Sequence, residues 1–272
     1  MNLPEGFGFT LFLVGIVTYL CYKCLEGGFA PNQGEGAQTN ITPKSILLAI
    51  ASFAAAIWLL GPIAGIAIVL GIAIHEFGHV AAFRSIGHND ARFRLIPLLG
   101  GVAISNKLPK CQLAEFYIAI MGPAIMLVPL VISGVYIHTI GTTGSLIDSF
   151  ARTMFIITGA INFFNLLPLW PLDGGRIIRA VTVGLSPHLS QILTLTMSGG
   201  LVLWALYAQQ PLIFIVAILG FSAARRVGAL AKLQPAMTGG QALSAFSAYL
   251  ITLWAFWLAG RPLIEQLVFR TL

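Results

Sequence analysis

The feature that most constrains this chain is an almost continuous apolar run from about Lys44 to Phe83, interrupted near its middle by Gly61-Pro62. Roughly 20 apolar residues in a helix cross the hydrocarbon core of a bilayer, so the run is long enough for two spans. Proline removes a backbone hydrogen-bond donor and disfavours helix, which places the break at Gly61-Pro62. The second span is predicted over about Ile63 to Ile86.

The composition indicates that membrane spans make up most of the chain. It is 57% hydrophobic and 9% charged, whereas about a quarter of the residues of a soluble domain are charged. We predict an all-α polytopic membrane protein, a bundle of about eight transmembrane helices (six to eight). The other spans are predicted at Phe7–Cys24, Leu113–His138, Phe150–Leu169, Leu189–Tyr207, Leu212–Val227 and Leu243–Ala259.

Three residues of the second span, His75, Glu76 and His79, form the pattern His-Glu-x-x-His. Helical residues four apart share one face, so both imidazoles can bind a single metal ion. In metal-dependent hydrolases of this pattern the histidines bind Zn²⁺ and the glutamate acts as general base. Ionisable residues at bilayer depth are costly, which favours a functional site over a chance match with satisfied core histidines.

The polar segment His88–Gln112 follows this span. Short β-like runs on either side of Gly100-Gly101 predict a β-hairpin over Arg92–Ile104, after the histidine-bearing helix. If this segment is cytoplasmic, twelve of the fifteen Lys and Arg residues lie on that side, as the positive-inside rule requires. Because the basic residues are scattered among span ends, the net charge of +6 indicates topology and no nucleic-acid partner.

A catalytic zinc usually has three protein ligands, so the chain must supply one more. The downstream candidates are Glu115, Asp148, Asp173, Glu265, His88, His138 and His188. A solvated or helix-end role is the simpler explanation for Glu115 and Asp148, which are at predicted span ends. Asp173 follows two prolines and precedes Gly174-Gly175, where the backbone can turn and direct the carboxylate into the bundle. We therefore favour Asp173.

The cysteines do not offer a second metal site. Cys21 and Cys24 form Cys-x-x-Cys, but a zinc ribbon needs another pair and the chain retains Cys111 alone. We predict a structural or incidental role for Cys21 and Cys24.

The motif of His75–His79 is followed by a second motif, Asn-x-x-Pro-x-x-x-Leu-Asp-Gly. Together they closely resemble the site-2 protease family of intramembrane zinc metalloproteases, and the resemblance runs from about Gly61 through Arg179. The second motif is matched by Asn165, Pro168, Leu172, Asp173 and Gly174. Many members also carry Gly-Pro-x-x-Asn between the motifs, where this chain has Gly122-Pro123-Ala124-Ile125-Met126, so we assign no polar role there. The PDZ and CBS modules of some members do not fit here.

The resemblance implies one Zn²⁺ per chain bound by His75, His79 and Asp173, with Glu76 as the catalytic residue and Asn165 binding substrate. The implied function is an intramembrane zinc endopeptidase that cleaves transmembrane segments of membrane-anchored proteins in regulated intramembrane proteolysis. Its partners would be a transmembrane-helix substrate and the lipid bilayer. We expect an integral multi-pass protein of the prokaryotic plasma (inner) membrane, with the active site towards the cytoplasmic side.

We expect three regions along the chain. Residues 1–60 hold two amino-terminal spans with a cytoplasmic loop, residues 61–185 the catalytic core, and residues 186–272 the carboxy-terminal spans. Two other functions stay open: a pseudoprotease that binds membrane proteins without cutting them, and an ion or proton transporter that uses intramembrane His, Glu and Asp. For Asn165 the alternative is an amide that packs within the bundle.

Overall fold

Helices dominate the fold, with one small antiparallel sheet among the described residues. The protein is represented by a computed structural model that describes residues 7–30, 43–96, 100–140, 143–170, 172–207, 209 and 233–269. The elements are α1 Phe7–Cys24, α2 Pro43–Leu60, α3 Pro62–Ser85, β1 Arg92–Ile96, β2 Gly100–Ile104, α4 Gln112–Ile125, α5 Leu127–Ile140, α6 Leu146–Asn165, α7 Asp173–Thr182, α8 Pro187–Tyr207 and α9 Gly239–Phe269. The predicted class, all-α with a β-hairpin after the histidine-bearing helix, is confirmed.

Several helices are suited to a bilayer, and the chain is a multi-pass membrane protein. Among the described residues, five helices are long and apolar enough to cross, and two shorter apolar helices are found at Leu11–Cys24 and Ala49–Leu60. The five are Pro62–Ser85, Gln112–Ile140, Leu146–Asn165, His188–Tyr207 and Gly239–Glu265. The predicted span Leu212–Val227 lies outside the described residues.

The chain forms two compact units, and three helices contribute residues to both. Unit 1 comprises residues 1–107, 121–161 and 256–264, and unit 2 comprises residues 108–120, 162–255 and 265–272. In unit 1, α1 packs against α5, and α3 packs against α2 and both strands. In unit 2, α7 packs against α8.

The break between α2 and α3 falls at Gly61-Pro62, as the sequence predicts. Gly61 has φ +82°, a conformation that glycine adopts without strain, and Pro62 occupies the first helical position, where its missing N–H costs nothing. The two helices then run close together, because a Cβ atom on Gly65 would lie 2.7 Å from the backbone nitrogen of Ile57. The turn and this close crossing orient α3.

The hairpin pairs β1 with β2 in register from Arg92 opposite Ile104 to Ile96 opposite Gly100. The glycine pair therefore begins β2, whereas the sequence placed it in the turn. At the open end of the hairpin, Asp90 accepts hydrogen bonds from the Asn106 backbone N–H (2.6 Å) and the Ser105 hydroxyl (3.0 Å). Burial alone would raise the pKa of Asp90, but these bonds outweigh it and hold that pKa below its ordinary value. They tie the end of the hairpin to the loop that follows α3.

Helix α4 bends into α5 at an internal proline. Pro123 has no N–H to donate, and Met126 after it forms a turn in which its N–H donates to the Pro123 carbonyl (3.0 Å). The combined segment corresponds to the predicted span Leu113–His138. Its unit 1 part, from Met121 onward, brings Gly122 to the histidine-bearing helix.

Candidate metal centre

The two histidines of the first motif lie side by side on α3, inside unit 1. His75 and His79 are 6% and 4% exposed, and their Nε2 atoms are 3.2 Å apart. Glu76, between them in sequence, is half-buried. The helical spacing therefore brings the two imidazole nitrogens together on one face of α3, with Glu76 next to His75 in the sequence.

Close packing between α3 and α4 places His79. A Cβ atom on Gly78 would lie 2.5 Å from the Met121 carbonyl oxygen and 2.7 Å from Ile125 Cγ2, so glycine permits this crossing. A Cβ atom on Gly122 would collide with Nε2 and Cε1 of the His79 ring. The Gly122 surface thus forms one wall against the imidazole, a role that depends on shape and not on polarity.

We expect Gly122→Ala to weaken metal binding by displacing the His79 ring. The expected loss of zinc affinity is about 10–100-fold, the cost typical of disturbing what orients a metal ligand. The measurement is competition with a chelator on purified protein. Gly199→Ala is the matched control, because it adds the same methyl group to a helix where nothing lies within 4 Å. Equal zinc affinity in the two variants would contradict the prediction.

The side chain of Glu76 lies against the hairpin. A Cβ atom on Gly101 would lie 2.6 Å from Glu76 Cγ and would also collide with the Phe93 ring. Gly101 is buried, and β2, which contains it, packs on α3. The hairpin therefore sets the space available to the proposed base.

Gly101→Ala tests this contact. Phe93 is 44% exposed and its ring can move outward, whereas Glu76 Cγ is near the helix backbone and must shift. For the peptidase activity that the sequence predicts, we expect turnover to fall by about 100-fold, the cost of a misplacement near 1 Å, while zinc content stays at the wild-type level. Metal analysis beside a cleavage assay measures both. Wild-type turnover, or loss of zinc, would be the contrary result.

Asn165 and Asp173 meet within unit 2. Asn165 is the last residue of α6 and Asp173 the first of α7. Asn165 Nδ2 donates to Asp173 Oδ2 at 2.8 Å, and Asp173 is 5% exposed. A carboxylate at a helix N-terminus also interacts favourably with the helix dipole. The second motif thus produces a buried, oriented carboxylate.

The loop between these helices is held by close backbone contacts. A Cβ atom on Gly174 would collide with the carbonyl oxygens of Leu166 and Leu167, and one on Gly175 would lie 2.5 Å from Trp170 N. We expected this glycine pair to form a loop turn. Both residues instead lie in the first helical turn of α7, where the absence of side chains lets the backbone of the preceding loop pack against the helix. The Tyr249 hydroxyl adds a hydrogen bond to the Leu166 carbonyl at 2.7 Å.

Glu115 lies in the first turn of α4, a helix end as expected, but it is buried in an ion-pair network of unit 2 and is not solvated. Its Oε1 accepts from Arg176 Nε and Arg179 Nη2, both at 3.1 Å. Arg176 Nη1 also lies 3.3 Å from Asp173 Oδ1. Sequence reasoning missed this network; the one available signal was an acidic residue and two arginines in a chain with few charges.

The other candidate ligands have different surroundings. Asp148 is buried in the first turn of α6 and pairs with Arg152 at 3.0 Å. His88 Nδ1 lies 2.9 Å from the Ser105 hydroxyl at the end of the hairpin. Cys21 Sγ donates to the Ala124 carbonyl at 3.4 Å, a packing contact of the kind predicted for it.

The donor set suits zinc. Two imidazole nitrogens, each about 2.0–2.1 Å from one tetrahedral zinc, lie roughly 3.3 Å apart, close to the 3.2 Å that separates the two Nε2 atoms. Imidazole nitrogen is a donor type that zinc binds in proteins, so the pair on α3 fits this metal.

Comparisons with known proteins agree with the resemblance that the motifs predict. The model of peptidase family M50 matches residues 130–206, which include the second motif. Zinc metalloprotease MJ0392 of Methanocaldococcus jannaschii is 32% identical over 120 residues, 43% of this chain. Rip3 of Mycobacterium tuberculosis is 33% identical over 125 residues, 45% of this chain. The resemblance predicted from the sequence is confirmed.

These matches span about a third of each relative's own length, 33% for MJ0392 and 32% for Rip3. Among solved structures, the site-2 protease from Methanocaldococcus jannaschii is 24% identical, with a TM-score of 0.41 over 67% of this chain and 87% of that chain.

Proposed function

We propose that this chain is a zinc metalloprotease of peptidase family M50 that hydrolyses peptide bonds within transmembrane segments of membrane-anchored proteins. The observation that carries the proposal is the pair of buried imidazoles on a membrane-spanning helix, with Nε2 atoms 3.2 Å apart and Glu76 beside them. Histidine and glutamate are expensive at bilayer depth unless they serve a site. The similarity to zinc metalloprotease MJ0392 supports the same chemistry.

The proposed metal site takes one zinc ion per chain, bound by His75, His79 and Asp173. Zinc supplies Lewis acidity, which polarises a peptide carbonyl and makes water acidic enough to react near neutral pH. His75 and His79 are buried, and charge interactions are stronger in such surroundings than in bulk water. We place these three ligands, Glu76 and the hairpin in a catalytic core of residues 61–185.

Glu76 carries the proton transfers. Its carboxylate takes a proton from the attacking water as the oxygen forms a bond to the scissile carbonyl carbon. It then delivers that proton to the departing amide nitrogen as the carbon–nitrogen bond breaks. The products are a carboxylic acid and an amine, which exchange a proton to become carboxylate and ammonium, and Glu76 returns to its starting form. Asn165, through its amide group, is proposed to bind the substrate backbone.

The hairpin is the proposed holder of the substrate. A helical substrate has internally bonded carbonyls and must unwind before hydrolysis. A strand edge can hold the extended segment by main-chain hydrogen bonds. Because Glu76 lies against β2 at Gly101, a substrate strand added beside β2 would run past the base.

Crosslinking tests the position of the substrate. In a Glu76→Gln chain whose native cysteines are replaced by serine, we expect Ala103→Cys in β2 to form a disulfide with a cysteine at the substrate cleavage site. Leu146→Cys is the control, because that residue is 79% exposed at the start of α6. Equal crosslinking at both positions would refute the hairpin as the binding edge.

The proposed setting is the prokaryotic plasma membrane, with the active site towards the cytoplasmic side and a role in regulated intramembrane proteolysis. The charge asymmetry of the loops supports this orientation. Accessibility of an introduced cysteine at exposed Lys107 to a membrane-impermeant reagent measures it. Labelling of this cysteine from the outer face of intact cells would show that the orientation is opposite to the one proposed.

The test of the function is cleavage of a panel of single-span proteins by purified, zinc-loaded enzyme, beside the same enzyme stripped with a chelator. Zinc-dependent cuts within the spans are expected. Binding of the panel without any cleavage would indicate a pseudoprotease. Metal-independent ion flux in vesicles, without cleavage, would indicate a transporter.

A further inference from the structure

Arg176 connects two buried carboxylates of unit 2. Its Nε lies 3.1 Å from Glu115 Oε1, and its Nη1 lies 3.3 Å from Asp173 Oδ1. A guanidinium is planar and delocalised, so its donors point in fixed directions. Two contacts made through one rigid plane relate the orientation of Asp173 to the position of Glu115.

Glu115 is a firm anchor for this plane. The same Oε1 atom accepts from Arg179 Nη2 at 3.1 Å, with side-chain exposures of 6% for Arg179 and 9% for Glu115. Arg179 in turn lies over the Trp170 ring, 4.9 Å from its centroid. Charges buried in this way are stable when each keeps its partners. Glu115 therefore stays fixed while Arg176 reaches towards Asp173.

Both oxygens of the Asp173 carboxylate have a donor. Asn165 Nδ2 donates to Oδ2 at 2.8 Å, and Arg176 Nη1 is at Oδ1. Each carboxylate oxygen has two lone pairs, so these contacts are compatible with a cation on the same group. Outer partners that orient a metal-binding carboxylate in this way raise metal affinity.

We propose that Arg176, anchored by Glu115, is a positioning residue that orients the Asp173 carboxylate for zinc and thereby sets the affinity of the site. The inference rests on the proposed function, because it takes Asp173 as a zinc ligand. Arg176 affects zinc affinity in two ways: it orients the Asp173 carboxylate, which strengthens binding, and its positive charge repels the metal, which weakens binding. The proposal requires the first effect to be the larger one. The two effects predict opposite changes when Arg176 is neutralised.

The experiment measures zinc affinity by chelator competition on the purified full chain. We expect Arg176→Gln to weaken zinc binding by about 10–100-fold, and Arg176→Lys, which keeps the repelling charge but loses the planar fork, to weaken it by at least the same factor. Excess zinc should restore kcat in both variants, with KM unchanged. Arg152→Gln, which breaks the Arg152–Asp148 pair of unit 1, is the control and should bind zinc as wild type does.

Arg176→Gln leaves Glu115 paired with Arg179, so the variant is expected to fold. The check is the unfolding transition of the metal-free variant, compared with that of the metal-free wild type. Should it fail to fold, Arg176→Lys and Glu115→Asp decide the question. Wild-type or tighter zinc binding in the folded Arg176 variants would overturn the proposal. Failure of the wild type to bind zinc, or no loss in Asp173→Ala, would instead refute the proposed function.

Discussion

Glu76→Gln is expected to abolish cleavage and to leave zinc bound. Glutamine has nearly the same shape as glutamate but cannot accept the proton of the attacking water. General acid–base catalysis contributes about 10²–10⁴-fold, so kcat should fall by at least that factor. Zinc content should not change, because Glu76 is not among the proposed ligands. Metal analysis and single-span substrate cleavage on the same preparation measure both quantities.

The control for this variant is Glu26→Gln, an exposed glutamate that pairs with Lys23 after α1. It should cleave at the wild-type rate. Residual activity in Glu76→Gln within tenfold of wild type would assign the proton transfers to another group. Loss of zinc would make Glu76 a ligand and not a base.

Removal of the Asp173 carboxylate is expected to cause a large loss of zinc affinity. Asp173→Ala leaves two imidazoles, fewer than the three protein ligands that catalytic zinc usually has. The affinity loss should exceed the roughly 10–100-fold cost of losing an outer partner of a ligand. Arg176 keeps its bond to Glu115 in the variant, so the fold should persist. Chelator competition measures the loss, and cleavage should disappear at limiting zinc.

Asp148→Ala provides the matched control for Asp173→Ala. Asp148 is also buried, also in the first turn of a helix, and also bonded to an arginine. A merely structural effect of losing a buried carboxylate would appear in both variants. Zinc loss confined to Asp173→Ala separates the ligand from the structural carboxylate, and equal loss in both would refute the assignment.

The sequence predicted the membrane-spanning helices because their signal is local. A bilayer requires long apolar helices, and proline marks where they break, so the α2–α3 boundary followed from Gly61-Pro62 alone. The facing of His75 and His79 followed from helical spacing. The sheet also followed from short β-like runs, although the position of its turn did not.

Contacts distant along the chain could not be predicted in this way. The segment from Gly122 to Met126 was given no polar role, because Met126 stands where the family often has asparagine, yet the absence of a side chain on Gly122 makes room for the His79 ring. Gly101 beside Glu76 and Glu115 beside Arg176 depend in the same way on tertiary packing. Glu115 was expected to have a solvated or helix-end role, and it does lie in the first turn of α4. Its buried ion pairs could not be predicted, because they require partners that only the fold brings together.

X-ray absorption at the zinc edge, on the purified wild type and on Asp173→Asn, tests the central claim most directly. We predict one zinc per wild-type chain with nitrogen and oxygen ligands, two of them imidazoles, and loss of zinc or of an oxygen ligand in Asp173→Asn. Sulfur ligands, or a zinc spectrum identical in the two proteins, would contradict it.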